Sequence, residues 1–291
     1  MSAAEVLPDK STTVRLRPVR VPAWFRGSLR VASVLAPPLA DEWLRRAFFT
    51  PQLARVRPEE ARMLATGARF EVETLVGRVV ARSWGRGPVV LLVHGWGGHA
   101  GQMSAWVEPL VAAGFQAVAA DMPAHGESEG KLSNVLQFKN ALLALGGQLG
   151  PLAGVVAHSF GAAGVMHALA GGLRVKRVVL VAAPASFESF WLRFREGTGI
   201  SPAQWERFVR RSEAWLRVRF EDVQPGKLAV GMSAPLLLLH DEADGEVAFG
   251  EGVELARKWP GATLHATRGL GHLRILRDPT VLERSVAFLS G

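Results

Sequence analysis

The stretch Val155-Val156-Ala157-His158-Ser159-Phe160-Gly161 decides the fold of this chain. An apolar run leads into a serine, and the small residues after it, Ala162-Ala163-Gly164-Val165-Met166, favour a helix. A strand, a sharp turn with serine at its apex and a helix together make a nucleophile elbow. Small residues are needed two positions before and two positions after that serine, because the strand and helix backbones nearly touch. Ala157 and Gly161 meet this requirement, so the sequence predicts an elbow at Ser159.

Glycine-rich and acidic motifs accompany the elbow in a fixed order along the chain. His94-Gly95-Trp96-Gly97-Gly98 and the segment 121–128 precede it. His240-Asp241-Glu242-Ala243-Asp244 and then Gly269-Leu270-Gly271-His272 follow it. With these motifs the chain resembles the α/β-hydrolase superfamily from about residue 70 to the C-terminus. The resemblance implies an oxyanion loop, a turn after the fourth strand, an acid loop and a histidine loop, but no substrate, because one fold hosts many chemistries.

The composition is that of a globular chain with a large core. The chain has 291 residues, of which 48% are apolar. This length accommodates one large α/β domain, or such a domain with a cap. There is no cysteine, which excludes a disulfide framework, a thiolate nucleophile and a cysteine-ligated metal.

Segments that target or anchor a protein are not evident. No apolar run approaches the roughly 18 residues needed to span a bilayer. Residues 31–40 come nearest to a signal-peptide core, but they contain Pro37 and Pro38 and begin well inside the chain. We interpret them as part of the folded structure. The expected location is therefore the cytoplasm.

Positive charge is concentrated near the N-terminus. The formal net charge is +8, and residues 1–69 hold 12 Lys and Arg against 6 Asp and Glu. Such an excess could draw this region to an anionic membrane surface or to nucleic acid. The arginines are dispersed among prolines and apolar residues, however, without the stacking aromatics that single strands require. We expect no nucleic-acid partner, and membrane contact through the basic segment remains the less favoured alternative.

The order of apolar runs and helical patterns predicts an α/β-hydrolase fold, with a mostly parallel, doubly wound sheet and a helical cap insertion. Predicted strands cover residues 70–76, 78–84, 89–93, 117–120, 154–157, 177–182, 235–239 and 263–267. Predicted helices of the main domain cover residues 102–113, 132–149, 160–170, 247–258 and 279–289. Most of these strands are continuous apolar runs, which are typical of strands buried on both faces.

The chain divides into an arm, an extension, a cap and a core in two parts. These are a flexible basic arm at 1–22, an N-terminal helical extension at 23–68, the hydrolase core at 69–185 and 233–291, and a helical cap at 186–232. The extension is expected to pack helices on the outside of the main domain, with Asp41 as a helix N-cap. In the cap, Ser201-Pro202-Ala203-Gln204 predicts a capping box with proline at the first helical position.

Acyl transfer needs a nucleophile, a base, an orienting acid and a site for the developing negative charge. Ser159 is the predicted nucleophile. The predicted general base is His272, chosen among eight histidines because it follows both the last strand and the acid loop, as the order Ser, Asp, His of this fold requires. Asp241 and Asp244 compete for the role of the acid. In the superfamily pattern the position of Asp241 is usually glycine and that of Asp244 is the acid, so we favour Asp244.

The resemblance also implies an oxyanion hole made of the backbone N–H groups of Trp96 and Phe160. For substrate binding, the candidates are Trp96, His99 on the same loop and Trp191 among the cap aromatics. No metal-binding motif is visible, and the glycine-rich loop has neither dinucleotide nor P-loop spacing. We therefore expect no cofactor and no metal.

The favoured function is that of a serine hydrolase cleaving carboxylic esters of small apolar molecules through an acyl-enzyme on Ser159. A thioesterase, lactonase, amidase or C–C bond hydrolase would use the same residues. From another class, a non-catalytic binding module with this fold remains the alternative. Neither the oligomeric state nor the acyl chain length can be read from the sequence.

Overall fold

A computed structural model of the chain describes Leu16, Val19 and residues 21–291. Most of the predicted basic arm, residues 1–22, therefore lies outside the described residues. None of the described helices is long and apolar enough to cross a membrane.

An eight-stranded sheet forms the centre of the molecule, with strand order β1-β2-β4-β3-β5-β6-β7-β8. The strands are β1 Ala68–Thr74, β2 Gly77–Trp84, β3 Val89–Val93, β4 Gln116–Ala120, β5 Leu152–His158, β6 Val175–Val181, β7 Leu236–Asp241 and β8 Ala262–Thr267. β2 pairs antiparallel with both β1 and β4, and the other pairs are parallel. This arrangement confirms the predicted fold class, and each predicted strand is present with ends shifted by at most a few residues.

The helices cover both faces of the sheet and form the cap. They are α1 Ala23–Leu35, α2 Pro37–Phe49, α3 Pro58–Thr66, α4 Val107–Ala112, α5 Val135–Leu149, α6 Phe160–Ala170, α7 Glu188–Thr198, α8 Pro202–Leu216, α9 Pro225–Leu228, α10 Phe249–Lys258, α11 Gly271–Arg274 and α12 Pro279–Ser290. The predicted helix 102–113 is instead divided into a 3₁₀ segment, Ala100–Trp106, and α4. Pro109 explains this difference, because it has no N–H to continue an α-helical ladder through that point.

Central strands are buried on both faces, as their apolar runs predict. Leu91 and Val93 of β3 pack against α5 and α6 on one face. Val90 and Leu92 pack against the layer that contains α4 and α12 on the other face. Burying one such side chain contributes about 1.5–3 kcal/mol, so these strands hold the carboxyl edge of the sheet in a fixed position.

Two helices of the N-terminal extension, α1 and α2, pack against the cap. The third, α3, packs against the main domain, where Met63 and Leu64 contact the cluster that contains Val90 and Leu92. Leu44, Phe48 and Phe49 of α2 share a buried cluster with Phe194 of α7 and Phe208 of α8. The rings of Phe48 and Phe194 meet edge to face at 4.9 Å between centroids. Helices α1 and α2 and the cap thus form a single apolar unit above the sheet.

Asp41 is not a helix N-cap, because α2 begins at Pro37, a residue suited to the first helical position. Its buried carboxylate instead accepts hydrogen bonds from the Arg207 guanidinium of α8 at 3.0–3.2 Å. A second arginine of α8, Arg211, approaches the same carboxylate at 2.8 Å. These ion pairs join the extension to the cap.

We expect Asp41→Asn to lower the free energy of unfolding by about 1–3 kcal/mol, since charged hydrogen bonds to a buried carboxylate are lost. The matched control is Glu42→Gln on the same helix. Glu42 also pairs with two arginines, but it lies at the surface, where such pairs contribute about 1 kcal/mol or less. Denaturant unfolding of both variants measures the difference, and equal losses would contradict the account.

Candidate active site

The elbow forms where β5 ends at His158 and α6 begins at Phe160. Ser159 lies between them with φ 52° and ψ −123°, a strained conformation for a residue other than glycine. Its backbone N–H donates to the Val181 carbonyl at 2.9 Å, which ties the turn to β6. A Cβ at Gly161 would lie 2.3 Å from the His94 carbonyl oxygen. Only glycine permits this approach, as the small-residue rule predicts.

Ser159, His272 and Asp244 come together at the carboxyl edge of the sheet. Ser159 Oγ lies 3.0 Å from His272 Nε2. On the other side of the same ring, His272 Nδ1 lies 2.8 Å from Asp244 Oδ2. Because a carboxylate only accepts hydrogen bonds, Nδ1 carries the proton and Nε2 is free to accept from the serine. The three side chains thus have the geometry of a Ser-His-Asp triad.

Asp244 is held in place by its own loop. Its Oδ1 accepts hydrogen bonds from the backbone N–H groups of Glu246 and Val247 at 2.8 and 3.0 Å. Burial alone would raise the pKa of the Asp244 carboxyl, but the hydrogen bond and charge of His272, together with these N–H groups, hold the pKa below its usual range. Asp244 is therefore an ionised acceptor for the His272 ring.

Asp241 supports the loops and does not reach the imidazole. Its carboxylate accepts from the Thr267 hydroxyl at 2.7 Å and from the Leu270 backbone N–H at 2.9 Å. It also accepts from the Ala243 N–H at 3.0 Å. Asp241 thereby links the acid loop to the loop that carries His272.

Trp96 and Phe160, whose backbone N–H groups are the predicted oxyanion donors, lie at the serine end of the site. Among the described residues, neither group donates a hydrogen bond. The two aromatic rings meet edge to face at 5.1 Å between centroids. Both residues line the same cavity as Ser159. Unpaired N–H groups beside a nucleophile are what an oxyanion hole requires.

The cavity has a volume of about 780 Å³ and opens onto Ser159 and His272. Its wall is mostly apolar, with Phe187, Phe190 and Trp191 of the cap region among the lining residues. Such a volume and such a lining are typical of small-molecule sites. Trp191 thus lies where the sequence predicts a substrate contact. Phe194 and Phe208, by contrast, are buried in the cluster between cap and extension.

His99 is not among the residues that line the cavity. It is buried behind the oxyanion loop, where its Nε2 lies 3.6 Å from the buried Glu60 carboxylate. Both ring nitrogens of His99 are buried and have no hydrogen-bond partner among the described residues. The structure does not support a substrate contact for His99, although Trp96 three residues earlier does reach the cavity.

Other histidines brace the loops around the site. The Met122 N–H donates to His94 Nε2 at 2.9 Å, and the Gly97 N–H donates to His125 Nε2 at 3.0 Å. His240 Nε2 donates to the Val247 carbonyl at 3.0 Å. Burial lowers the pKa of His125 to about 4, so this ring stays neutral and can accept from Gly97.

His158 contributes to the site in a way that the sequence does not indicate. Its Nε2 donates to the His272 backbone carbonyl at 2.9 Å, and the two rings are 4.6 Å apart. Burial, followed by the neighbouring His272 ring, lowers the pKa of His158 to about 3. A neutral ring therefore positions the histidine loop without placing a second positive charge there.

Charged residues in the cavity were also missed by the sequence reasoning. Glu246 Oε2 lies 3.7 Å from His272 Nε2. Arg193 of α7 donates to the Glu246 carbonyl at 3.0 Å. Burial raises the pKa of Glu251, which accepts from the N–H groups of Ala185 and Ser186. The sequence does not indicate that these residues lie in one cavity, because the cap must fold over the sheet before they come together.

Comparison with known proteins agrees with this architecture. The family model described as the alpha/beta hydrolase fold matches residues 88–273. No curated protein matches the chain by sequence.

Solved structures with a similar fold include proteins described as esterases and as another hydrolase. An esterase from Pyrococcus furiosus is 20% identical with a TM-score of 0.63, over 82% of this chain and 95% of that chain. An esterase from Exiguobacterium antarcticum is 13% identical with a TM-score of 0.60, over 77% and 100%. A meta-cleavage product hydrolase from Pseudomonas fluorescens is 16% identical with a TM-score of 0.57, over 75% and 96%. At these identities the likeness is one of fold. Together with the family match, which spans more than half of the sequence, it means that the chain belongs to the α/β-hydrolase fold family.

Proposed function

We propose that this protein is a serine hydrolase that cleaves carboxylic esters of small apolar molecules through an acyl-enzyme on Ser159. The observation that carries the proposal is the pair of contacts on His272. Its Nε2 lies 3.0 Å from Ser159 Oγ, and its Nδ1 lies 2.8 Å from Asp244. A serine hydroxyl is a weak nucleophile at neutral pH, and an adjacent imidazole is the means to activate it.

In the first half-reaction Ser159 Oγ attacks the ester carbonyl carbon and its proton passes to His272 Nε2. The carbonyl oxygen becomes an oxyanion, which accepts hydrogen bonds from the Trp96 and Phe160 N–H groups. When the tetrahedral intermediate collapses, the bond to the alkoxy group breaks, and His272 gives its proton to the leaving alcohol. Ser159 is then acylated, and no net charge has been gained or lost.

In the second half-reaction water replaces the alcohol. His272 Nε2 accepts a proton from the water as its oxygen attacks the acyl carbon, and the same oxyanion site is used again. Collapse returns the proton to Ser159 Oγ and releases the carboxylic acid. Asp244 stabilises the imidazolium that forms in each half-reaction and keeps the proton of the neutral ring on Nδ1.

The cavity supports apolar substrates. Aromatic side chains of the cap region line the same cavity as Ser159, and an acyl or alkoxy chain that packs against them is removed from water, which favours binding. A panel of p-nitrophenyl esters with acyl chains of increasing length tests the proposal, with Ser159→Ala as the control. Hydrolysis by the wild type, lost in Ser159→Ala, is expected. A folded wild type that hydrolyses no ester in the panel and resists a fluorophosphonate would instead favour a binding module.

Ser159→Ala and His272→Ala should each lower kcat by about 10⁴ or more, because the nucleophile and its base act as a unit. For the same reason, the double variant should be little worse than either single variant. Steady-state kinetics on one ester, with thermal midpoints to verify folding, measures this. Losses that multiply in the double variant would mean that the two residues are not partners.

Asp244→Asn should lower kcat by up to about 10⁴, since an amide can hold the His272 ring in the wrong tautomer. Asp241→Asn is the matched control, because the same change on the same loop removes only contacts that brace the loops. It should retain most of its kcat and lose about 1–3 kcal/mol of stability. If Asp241→Asn is instead the inactive variant, the assignment of the acid is reversed.

A further inference from the structure

The oxyanion loop is in contact with a part of the chain that the family match does not include. That match begins at residue 88, whereas the segment 50–57, which follows α2, crosses the loop at Gly97. The Ala54 N–H donates to the Gly97 carbonyl at 2.7 Å. This contact is short for a bond between two backbone groups.

Gly97 is shaped for this contact. Its φ is +69°, and a Cβ there would lie 2.5 Å from the Gln52 carbonyl oxygen. Any larger residue would therefore be strained in its backbone and would also push the segment away. On the opposite side, the Gly97 N–H donates to the ring of His125 at 3.0 Å. Gly97 is thus fixed between the core and the extension.

A buried carboxylate of the extension lies beside the far end of the loop. The carboxylate of Glu60, in α3, is 1% exposed and lies 3.6 Å from His99 Nε2. It also accepts from Arg57 and from Arg277, which follows the helix that carries His272. This carboxylate therefore joins α3 to the region after the histidine loop and lies next to the oxyanion loop.

We propose that residues 52–54 of this segment are a positioning element of the catalytic site: they clamp Gly97 and thereby fix the Trp96 N–H toward Ser159. The inference rests on the proposed function, because it assigns a role to the oxyanion loop. Trp96 precedes the clamped residue directly, and its own N–H makes no hydrogen bond among the described residues. The core restrains this turn through the Gly98 N–H, which donates to the Gly95 carbonyl at 3.1 Å, and through His125; the bond from Ala54 is the restraint that the extension adds. An oxyanion donor must lie within a fraction of an ångström of its correct position. A small displacement therefore lowers the rate of the chemical step while substrate binding is retained.

The test removes one backbone donor. Ala54→Pro deletes the N–H that reaches Gly97, in a segment that has no regular secondary structure. Val56→Pro is the matched control in the same segment, because among the described residues the Val56 N–H has no hydrogen-bond acceptor. For Ala54→Pro we expect kcat to fall about 10-fold or more, since loss of a whole donor lowers kcat by about 10²–10³. Ala54 also lines the cavity, so a rise in KM without a fall in kcat would mean that the change acts on substrate contact and would overturn the proposal. Val56→Pro should behave like the wild type.

A transition-state analogue separates positioning from general damage. An aryl trifluoromethyl ketone forms a hemiketal on the serine, and the oxyanion of this adduct occupies the proposed hole. Its inhibition constant should rise in Ala54→Pro by the same factor as kcat/KM falls. A structural role alone would lower the thermal midpoint and leave both constants of the folded protein unchanged, and that outcome would overturn the proposal.

Hydrogen exchange gives a readout that does not depend on activity. The backbone amides of residues 94–98 should exchange faster in Ala54→Pro than in the wild type or Val56→Pro. Unchanged exchange would overturn the clamp, even if the protein is a hydrolase. Suppose instead that the wild type has no esterase activity and that exchange is still faster in Ala54→Pro. This result would overturn the proposed function and the catalytic role of the clamp, although the contact between Ala54 and Gly97 would be confirmed.

Gly97→Ala tests the same contact by changing the residue whose carbonyl accepts the hydrogen bond from Ala54. It should lower kcat and raise the inhibition constant as Ala54→Pro does, because the new methyl group displaces Gln52. Combining the two changes should add little, since both remove one interaction. Fully additive losses would mean that the two changes act separately, which contradicts a shared clamp.

Discussion

The structure depends on the close approach of β3 and α6 at the elbow. The His94 carbonyl, at the end of β3, would lie 2.3 Å from any Cβ at position 161. This approach is possible only with glycine, and it forces the chain to turn through the strained conformation of Ser159. The same contact brings the loop after β3 beside the serine. One steric constraint therefore positions Ser159 beside the loop that carries Trp96.

Local patterns made the core of this site predictable. The elbow, the glycine-rich loop and the order of acid and histidine are short motifs, and buried parallel strands have continuous apolar runs. Asp244 could be separated from Asp241 because only the later residue has the reach of a loop to meet His272. Such features are set by neighbouring residues, so they can be recognised without the tertiary structure.

Contacts between distant segments were not predictable. Asp41 resembles a helix N-cap, but its true partners are arginines about 170 residues later in the cap. His99 stands on the oxyanion loop, but its ring is buried beside Glu60 of the extension and does not line the cavity. His158 stands in the elbow motif, but the motif does not reveal that its ring donates to the backbone carbonyl of His272. Each of these positions is decided by what folds against it, which sequence spacing does not reveal.

Labelling with a fluorophosphonate, followed by peptide mapping, tests the central claim most directly. A serine made nucleophilic by the imidazole forms a covalent adduct, whereas an ordinary hydroxyl does not. The account predicts a single adduct on Ser159 in the wild type and labelling slowed by orders of magnitude in His272→Ala. Labelling of another serine, or a folded wild type that does not react, would contradict it.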